Sequence, residues 1–249
     1  MVVYIREGKF LEETSVNKFN AQVGYHLRGE EVRLFKDTSE IKRLYKEDIL
    51  IDYIYETRWI LEKMGIEVSE LDYPQELASF YGRWIKGGRI GEIVNHPENW
   101  GVFIKPMVGS KKFTGRVIRS ASDLIGIGLP FDYPIWISQA LDFKREWRVF
   151  VLDGQVLDVR PYRGDYHYHY DGAIIDQAIV SWKNAPAAYA MDIGVTEDGQ
   201  KLIVEINDGY ALGNYGLNPL KAAVFFERRW RELTQPYFKN HEYLLLNNE

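Results

Sequence analysis

The stretch that decides the fold lies late in the chain. It reads Met191-Asp192-Ile193-Gly194-Val195, then Thr196-Glu197-Asp198-Gly199-Gln200, then Lys201-Leu202-Ile203-Val204-Glu205-Ile206-Asn207. Two β-branched runs on either side of a polar, glycine-containing turn predict an antiparallel hairpin. Glu205 and Asn207 are two residues apart on one strand, so their side chains point to the same face, and the hairpin can place Asp192 beside them.

Those three oxygen-bearing side chains have two interpretations. Carboxylate and amide oxygens are the ligands that a hard cation such as Mg²⁺ prefers, and substrate phosphates usually complete its shell. The same residues could instead form a solvated sheet face that binds nothing. Carboxylates next to apolar residues such as Ile193 and Ile206 need a partner, which favours the metal site.

A second informative stretch lies in the middle of the chain, where Phe103-Ile104-Lys105-Pro106 ends an apolar strand in a lysine. The loop at 108–115 contains two glycines together with Lys111 and Lys112, and an apolar strand resumes at 116–118. Backbone amides near glycines can bind an anion, and the lysines add positive charge. A snorkelling lysine and an ordinary charged turn are the simpler interpretations. Combined with the carboxylate–amide trio, the pattern favours a site for a nucleoside triphosphate.

Composition excludes several classes of protein. The chain has 249 residues, 46% of them hydrophobic, which excludes a disordered or collagen-like chain. The absence of cysteine excludes disulfide scaffolds, zinc–thiolate sites, iron–sulfur clusters and cysteine nucleophiles. A formal charge of -5 argues against a nucleic-acid partner. There is no apolar run of about 20 residues and no signal-like start, so we expect a cytoplasmic protein with no membrane partner.

The rest of the chain reads as a mixture of short strands and helices. Apolar runs predict strands at 2–5, 31–35 and 136–141, and a hairpin in which Asp153-Gly154 joins 146–152 to 155–160. Apolar spacing and boundary residues predict helices at 55–63, 75–84, 185–189 and 219–233. The sequence contains no internal repeat.

In chain order, three segments resemble the ATP-grasp superfamily, to which D-alanine–D-alanine ligase and glutathione synthetase belong. They are Phe103-Ile104-Lys105-Pro106 with the loop after it, Glu146-Trp147-Arg148-Val149-Phe150-Val151, and Asp192 with Glu205-Ile206-Asn207. The resemblance covers roughly residues 75–215. It is strongest to a small clade that is named for one arginine and two lysines and that occurs in phages and in bacterial conflict or modification systems.

The resemblance implies an α+β fold of the ATP-grasp type. ATP would lie between two lobes, each an antiparallel sheet with helices, preceded by a short amino-terminal region of the pre-ATP-grasp kind. The corresponding boundaries are 1–74 for the amino-terminal region, 75–137 for the first lobe with the phosphate loop, and 138–249 for the second lobe with the metal site.

The resemblance also assigns nucleotide contacts. Lys105 would hold the α- and β-phosphates, with Lys111 or Lys112 as a further clamp. The backbone of Ala140 and Leu141 would pair with the adenine edge. The side chain of Gln139 would assist them.

Further along the chain, Glu146 would reach the ribose hydroxyls and Arg148 the phosphates. Asp192, Glu205 and Asn207 would hold two Mg²⁺ ions, for which Mn²⁺ is the expected substitute, and Asn207 would also face the nucleotide. A host bacterium or a phage-infected cell is the expected setting of such a protein.

The activity implied is ligation of a carboxylate to an amine through an acyl phosphate, on an amino acid, peptide or protein substrate. Many relatives carry an arginine two residues before the metal aspartate, whereas this sequence has Ala190. Arg148, Arg160 and Arg163 are the candidate catalytic arginines, and the last two could equally be surface salt-bridge partners.

Other basic residues have simpler interpretations. Arg83 and Lys86 could contact nucleotide phosphate, but a solvated helix explains them as well. Arg228, Arg229 and Arg231 near the end of the chain are interpreted as a helix surface rather than a nucleic-acid patch.

Two alternatives to a ligase remain open from the sequence. The chain could be a nucleotide-binding or regulatory module that does not ligate, or an ATP-dependent phosphotransferase. Relatives suggest a homodimer. The segment Tyr166-His167-Tyr168-His169-Tyr170 reads as a pocket wall or an exposed loop rather than a transition-metal site, because it lacks a third ligand.

Overall fold

The computed structural model describes residues 1–8, 13–109 and 112–246, and it contains three sheet-based units that meet at one cleft. The elements of the amino-terminal unit are β1 (Val2–Arg6), α1 (Glu13–Leu27), β2 (Glu31–Phe35), β3 (Arg43–Tyr45), β4 (Ile49–Ile51) and α2 (Ile54–Lys63). β1 pairs in parallel with β2 on one side and with β4 on the other. Parallel neighbours need a crossover, which α1 provides between β1 and β2. The strands predicted at 2–5 and 31–35 and the helix predicted at 55–63 are confirmed, whereas α1 was not predicted.

The second unit is a four-stranded antiparallel sheet, the small sheet. Its elements are β5 (Ile85–Arg89), α3 (Gly91–Val94), β6 (Val102–Pro106), β7 (Arg116–Ile118) and β8 (Pro134–Gln139). The strand order is β5-β8-β6-β7. Ile104, Ile118 and Ile137 form a buried cluster on one face. Alternation along the strands therefore turns Phe103, Lys105 and their neighbours toward the opposite face.

The third unit is a second four-stranded antiparallel sheet, the large sheet. Its elements are β9 (Phe143–Leu152), β10 (Gln155–Gly164), α4 (Gly172–Ser181), β11 (Ala188–Thr196), β12 (Lys201–Asp208) and α5 (Pro219–Phe238). A short strand outside this sheet, β13 (Tyr243–Leu245), follows α5. The order is β10-β9-β11-β12, and β13 pairs with β3. This arrangement confirms the α+β class and both predicted hairpins. None of the helices in the described part of the chain has both the length and the apolar composition that a bilayer crossing needs.

Two predicted helices are wrong. At 75–84 the chain forms only a 3₁₀ segment, Gln75–Phe80, because Gly82 adopts a φ of +59° and the strand β5 follows. The helix predicted at 185–189 is instead the approach to β11, which begins at Ala188. All nine residues of β11 are buried, so the strand lacks the alternation that identifies a half-exposed one.

A β-bulge in β12 determines which side chains reach the cleft. Asp192 pairs with Glu205 and Ile193 pairs with Ile203, so Val204 is an extra residue on β12. The bulge lets Ile203 and Ile206 join the same buried cluster, although residues three apart on a regular strand face opposite ways. The side chain of Glu205 points to the opposite face, toward the cleft, because the extra residue shifts the alternation of side chains along β12.

The two faces of the large sheet pack against different helices. On one face, Val149, Met191 and Ile193 share a buried cluster with residues of α4. On the other face, Phe150 and Ala190 share a cluster with residues of α5 and of the amino-terminal unit. The second cluster joins the amino-terminal unit to the large sheet.

Gly24 allows α1 to pack closely on α5. A Cβ atom at Gly24 would lie 2.0 Å from the carbonyl oxygen of Pro219. Because backbone atoms cannot rotate away, we expect Gly24→Ala to lower the free energy of unfolding by about 1–3 kcal/mol, measured by urea denaturation. Gly172→Ala is the matched control: apart from its chain neighbours and the backbone of its own helix, none of the described atoms lies within 4 Å of a Cβ there. Equal stability of the two variants would contradict this packing.

Candidate active site

A cleft of about 1640 Å³ lies where the three units meet. The small sheet lines it with Phe103, Lys105 and Val117, and the large sheet lines it with Glu205 and Asn207. The amino-terminal unit contributes residues from β4, from the start of α2 and from the connection after α2. The two sheets thus face each other across the space in which a ligand would bind.

Lys105 bridges the two sheets at the centre of the cleft. Its Nζ lies 2.6 Å from Oε2 of Glu205 and 2.6 Å from Oδ1 of Asp72, and it lies 5.0 Å from the ring centre of Tyr73. Burial alone would lower the pKa of the Lys105 ammonium, but the charge of Glu205 and of Asp72 raises it above its usual range. The lysine is therefore protonated at neutral pH.

Asp72 is a site residue that the sequence reasoning missed. It follows α2 in an irregular connection, where its backbone has a φ of +32°. Its carbonyl oxygen accepts a hydrogen bond of 2.9 Å from the amide of Ile206, next to Glu205. Its Oδ2 accepts another of 2.9 Å from Nε1 of Trp136. Burial raises the pKa of the Asp72 carboxyl, and an isolated acidic residue in a connection carries no sequence signal that it belongs to the cleft.

Arg148 and Asp192 form a buried ion pair on neighbouring strands. The register of the sheet places Asp192 opposite Arg148 on one side and opposite Glu205 on the other. Nε and Nη2 of Arg148 donate to the two oxygens of Asp192 at 2.8 and 2.6 Å. Nη1 donates to the carbonyl of Gly213 at 3.0 Å. Burial alone would lower the pKa of the Arg148 guanidinium. The charge and the hydrogen bonds of Asp192 outweigh burial and raise this pKa above its ordinary value, so the guanidinium stays charged.

The structure brings the three oxygen-bearing residues of the hairpin together. Nδ2 of Asn207 lies 3.2 Å from Oδ2 of Asp192 and 3.3 Å from Oε1 of Glu205. Burial would raise the pKa of Glu205, but Lys105 lowers it, so Glu205 is ionised. Within 1–8, 13–109 and 112–246, no three His, Cys, Asp or Glu side chains form a metal-binding group. Two carboxylates and an amide nevertheless fit a hard cation that phosphates complete.

The end of β8 and the residues after it also border the cleft. Gln139, the last residue of β8, lines the cleft there together with Ala140 and Leu141. Glu146 lines it as well, and its two oxygens accept hydrogen bonds from the hydroxyl of Tyr162 at 2.6 Å and from Nη1 of Arg163 at 2.7 Å. At this end the cleft is therefore lined by residues 139–141 and by the Glu146 carboxylate, whose position two hydrogen bonds fix.

A family model for the ATP-grasp domain matches residues 80–224, and it describes the second family of the clade named for one arginine and two lysines. The chain belongs to this family. The membership confirms the superfamily and the clade that the sequence resembles, and the matched segment contains all residues named from the two hairpins and the phosphate loop. No curated protein matches the sequence.

Solved ATP-grasp structures have similar folds. D-alanine–D-alanine ligase from Bacillus anthracis is 15% identical, with a TM-score of 0.59 over 94% of this chain and 98% of that one. D-cycloserine synthetase DcsG is 11% identical, with a TM-score of 0.59 over 92% and 100%. The ligase PsnB, complexed with a minimal precursor, is 17% identical, with a TM-score of 0.52 over 91% and 99%. At these identities the similarity shows the ATP-grasp fold.

The structure describes one of the two lysines of the phosphate loop. Lys111 lies outside the described residues. Lys112 is exposed and does not itself line the cleft, but its Nζ lies 5.9 Å from the ring centre of Tyr55 on α2, which does. Arg116 and Arg119 line the cleft instead. The sequence reasoning did not select them, because Arg116 begins the apolar strand β7 and Arg119 directly follows it.

The candidate catalytic arginines occupy different positions. Arg163 lines the cleft and pairs with Glu146. Arg160 does not line it, and its Nε donates to the carbonyl of Tyr215 at 3.4 Å. Ala190 is fully buried in the cluster that includes α5. Of Arg160 and Arg163, Arg163 is therefore the one that lines the cleft.

Arg83 connects the segment before β5 to the large sheet through hydrogen bonds. Its guanidinium donates to the carbonyls of Ile203 at 2.9 Å and Val204 at 2.7 Å on the outer edge of β12. These bonds hold the guanidinium against β12, but Arg83 also lines the cleft, so phosphate contact by Arg83 stays a prediction. Lys86 and the Tyr- and His-rich segment at 166–170 lie outside the residues that line the cleft.

Proposed function

We propose that this ATP-grasp protein is an ATP- and Mg²⁺-dependent ligase that joins a carboxylate to an amine through an acyl phosphate. The observation that carries the proposal is the meeting of Lys105, Arg148, Glu205 and Asn207 in one cleft of an ATP-grasp chain. The similar structures include D-alanine–D-alanine ligase and PsnB, which are ligases. Its substrates would be an acid and an amine that are small molecules or parts of a peptide or protein.

The nucleotide would lie across the cleft with its base at the segment after β8. The backbone of Ala140 and Leu141 supplies donors and acceptors for the adenine edge, with Gln139 beside them. Phe103 and Val117 supply apolar surface for the base, and such surfaces dominate small-molecule pockets. The division into 1–74, 75–137 and 138–249 puts this segment at the hinge between the lobes.

Glu146 would accept hydrogen bonds from the ribose hydroxyls. Lys105 and Arg148 would then face the phosphates, where buried cations are most effective because water is excluded. Two Mg²⁺ ions would be held by Asp192, Glu205 and Asn207, and when bound they neutralise charge on the phosphoryl group that is transferred.

The reaction would proceed in two steps. A carboxylate oxygen of the acid attacks the γ-phosphorus, ADP leaves, and an acyl phosphate forms. The amine nitrogen then attacks the acyl carbon, the nitrogen loses a proton, and inorganic phosphate leaves. Arg163 and Arg148 would stabilise the developing negative charge, and the protein contributes mainly position and charge.

The test is a product search. Purified protein is incubated with ATP, Mg²⁺ and mixtures of amino acids or short peptides, and products are identified by mass spectrometry. We expect ADP, phosphate and a new amide, formed only when acid and amine are both present. A phosphorylated hydroxyl without an amide would indicate a phosphotransferase and contradict the proposal.

A second candidate, a nucleotide-binding module without ligation, is favoured by one observation. Ala190 is buried in the core, so the arginine that many relatives use at this position has no direct replacement there. Calorimetry with Mg²⁺ and a non-hydrolysable ATP analogue separates the two. Tight binding with no product in any substrate mixture would support the module.

A further inference from the structure

The amino-terminal unit borders the cleft with a charged pair that the proposed nucleotide site does not use. Nη1 of Arg58 on α2 donates to Oε1 of Glu70, in the connection after α2, at 2.6 Å. Both residues line the cleft, and their side chains are 19% and 21% exposed. They precede the segment 80–224 that the family model matches. The pair is therefore partly open to a ligand, and the family match assigns it no role.

Tyr210, just after the last residue of β12, holds the guanidinium of this pair. Nε of Arg58 donates to the hydroxyl oxygen of Tyr210 at 2.7 Å, and Tyr210 is only 4% exposed. Burial alone would lower the pKa of the Arg58 guanidinium, but the hydrogen bonds to Glu70 and Tyr210 raise it above its usual range. The guanidinium is therefore charged. None of the described residues accepts a hydrogen bond from its third nitrogen, Nη2.

The cleft has room for a second ligand beside the nucleotide. Its volume of about 1640 Å³ exceeds the roughly 300–1,000 Å³ of a pocket that encloses one small molecule. The nucleotide would occupy the part between the two sheets, which leaves the amino-terminal end. Glu70 lies two residues before Asp72, whose carboxylate contacts Lys105. The pair therefore borders the phosphate end of the proposed nucleotide site.

The two charges of the pair select the class of ligand. A simple carboxylate that approaches Arg58 meets the like charge of Glu70, and a simple amine that approaches Glu70 meets the like charge of Arg58. A ligand with both charges satisfies both residues, because its carboxylate accepts from the guanidinium while its ammonium donates to the Glu70 carboxylate. A free α-amino acid carries these two groups on one carbon atom. A peptide carries at most one of them at each terminus of its backbone.

We propose that Arg58 and Glu70 bind the carboxylate and the ammonium of a free α-amino acid at the amino-terminal end of the cleft. Tyr210 is a positioning residue, because it acts through the guanidinium of Arg58. The inference rests on the proposed function for the role of the bound molecule, and it names a free amino acid as one of the two substrates.

Binding of amino acids to the free protein, measured by ligand-observed NMR titration, tests the inference without nucleotide or turnover. The probes are the protein amino acids in both enantiomeric forms. Each is compared with its carboxamide, which lacks the carboxylate charge, and with its N-acetyl derivative, which lacks the ammonium charge. We expect at least one amino acid to bind and both of its derivatives to bind at least about tenfold more weakly, because each derivative leaves one residue of the pair without a charged partner group.

Two variants connect this preference to the pair. Arg58→Met should weaken binding of that amino acid by at least about tenfold. Glu70→Gln preserves the shape of the side chain but removes its charge, so it should weaken binding of the amino acid and strengthen binding of the N-acetyl derivative. An ion pair that served only the fold would not change the preference between the two probes in this way.

Arg28→Met is the matched control. Nη1 of Arg28 lies 2.7 Å from Oε2 of Glu227, and the two side chains are 27% and 16% exposed, but neither residue lines the cleft. This variant should bind the amino acid as tightly as the wild type does.

Two outcomes would overturn the inference. One is wild-type protein that binds none of the amino acids, or that binds them no more tightly than their derivatives, and this comparison requires no variant to fold. The other is a pair of variants, Arg58→Met and Glu70→Gln, that bind the probes as Arg28→Met does. If the product search yields no amide, the proposed function fails, whereas the binding preference still decides the inference.

Discussion

Glu205→Gln is expected to reduce turnover by about 10²–10³-fold while the protein remains folded. Glu205 pairs with Lys105, and its side chain is 29% exposed, against 2% for Asp192. The amide preserves the shape of the side chain and can still accept a hydrogen bond from Lys105, so we expect little change in the unfolding temperature. Release of ADP with the substrates found in the product search measures the effect, and circular dichroism follows the fold.

Glu197→Gln is the control for this variant. Glu197 lies on the turn of the same hairpin but is 80% exposed and outside the cleft. We expect its turnover to match that of the wild type. A Glu205→Gln variant that keeps turnover within a few-fold of wild type would remove Glu205 from the metal site.

Asp192→Ala is expected to lower the free energy of unfolding by about 3–5 kcal/mol. The substitution removes the partner of Arg148 and leaves a guanidinium that is 7% exposed without its counter-charge. Urea denaturation with and without the substitution measures the loss. Because stability falls as well, lost activity in this variant would not by itself identify a metal ligand, whereas Glu205→Gln separates the two effects.

An exposed ion pair provides the comparison for Asp192→Ala. Glu242 lies 3.0 Å from Nζ of Lys46, and the two side chains are 76% and 42% exposed. Glu242→Ala should change stability by less than about 1 kcal/mol. If both substitutions cost the same, the Arg148–Asp192 pair does not have the structural role that its burial indicates.

The sequence predicts the large-sheet hairpin because its strands carry local signals. Alternation around Glu205 and Asn207 and the turn at 196–200 each depend on neighbouring residues only. The meeting of Asp192 with Glu205 follows from that hairpin and appears in the structure. The bulge at Val204 was not predictable, because it depends on how Ile203 and Ile206 pack against α4 and its neighbours.

Residues whose placement depends on distant segments were missed. Asp72 reaches the cleft only because the connection after α2 pairs with Ile206, more than a hundred residues later. Helix α1 was missed because its sequence is polar and contains Gly24, so its packing on α5 decides its conformation. In α5, the sequence indicates a surface position for Arg229, but this residue is buried and pairs with Asp208.

The occupied outer edge of β12 limits how a peptide can approach. An edge strand with free backbone groups can recruit an extended peptide as an additional strand. Here the guanidinium of Arg83 covers two carbonyls of that edge, and the carbonyl of Asp72 covers the amide of Ile206. If the proposed substrate is a peptide, we therefore expect it not to extend the sheet beside the proposed metal residues but to insert a side chain or a chain terminus into the cleft.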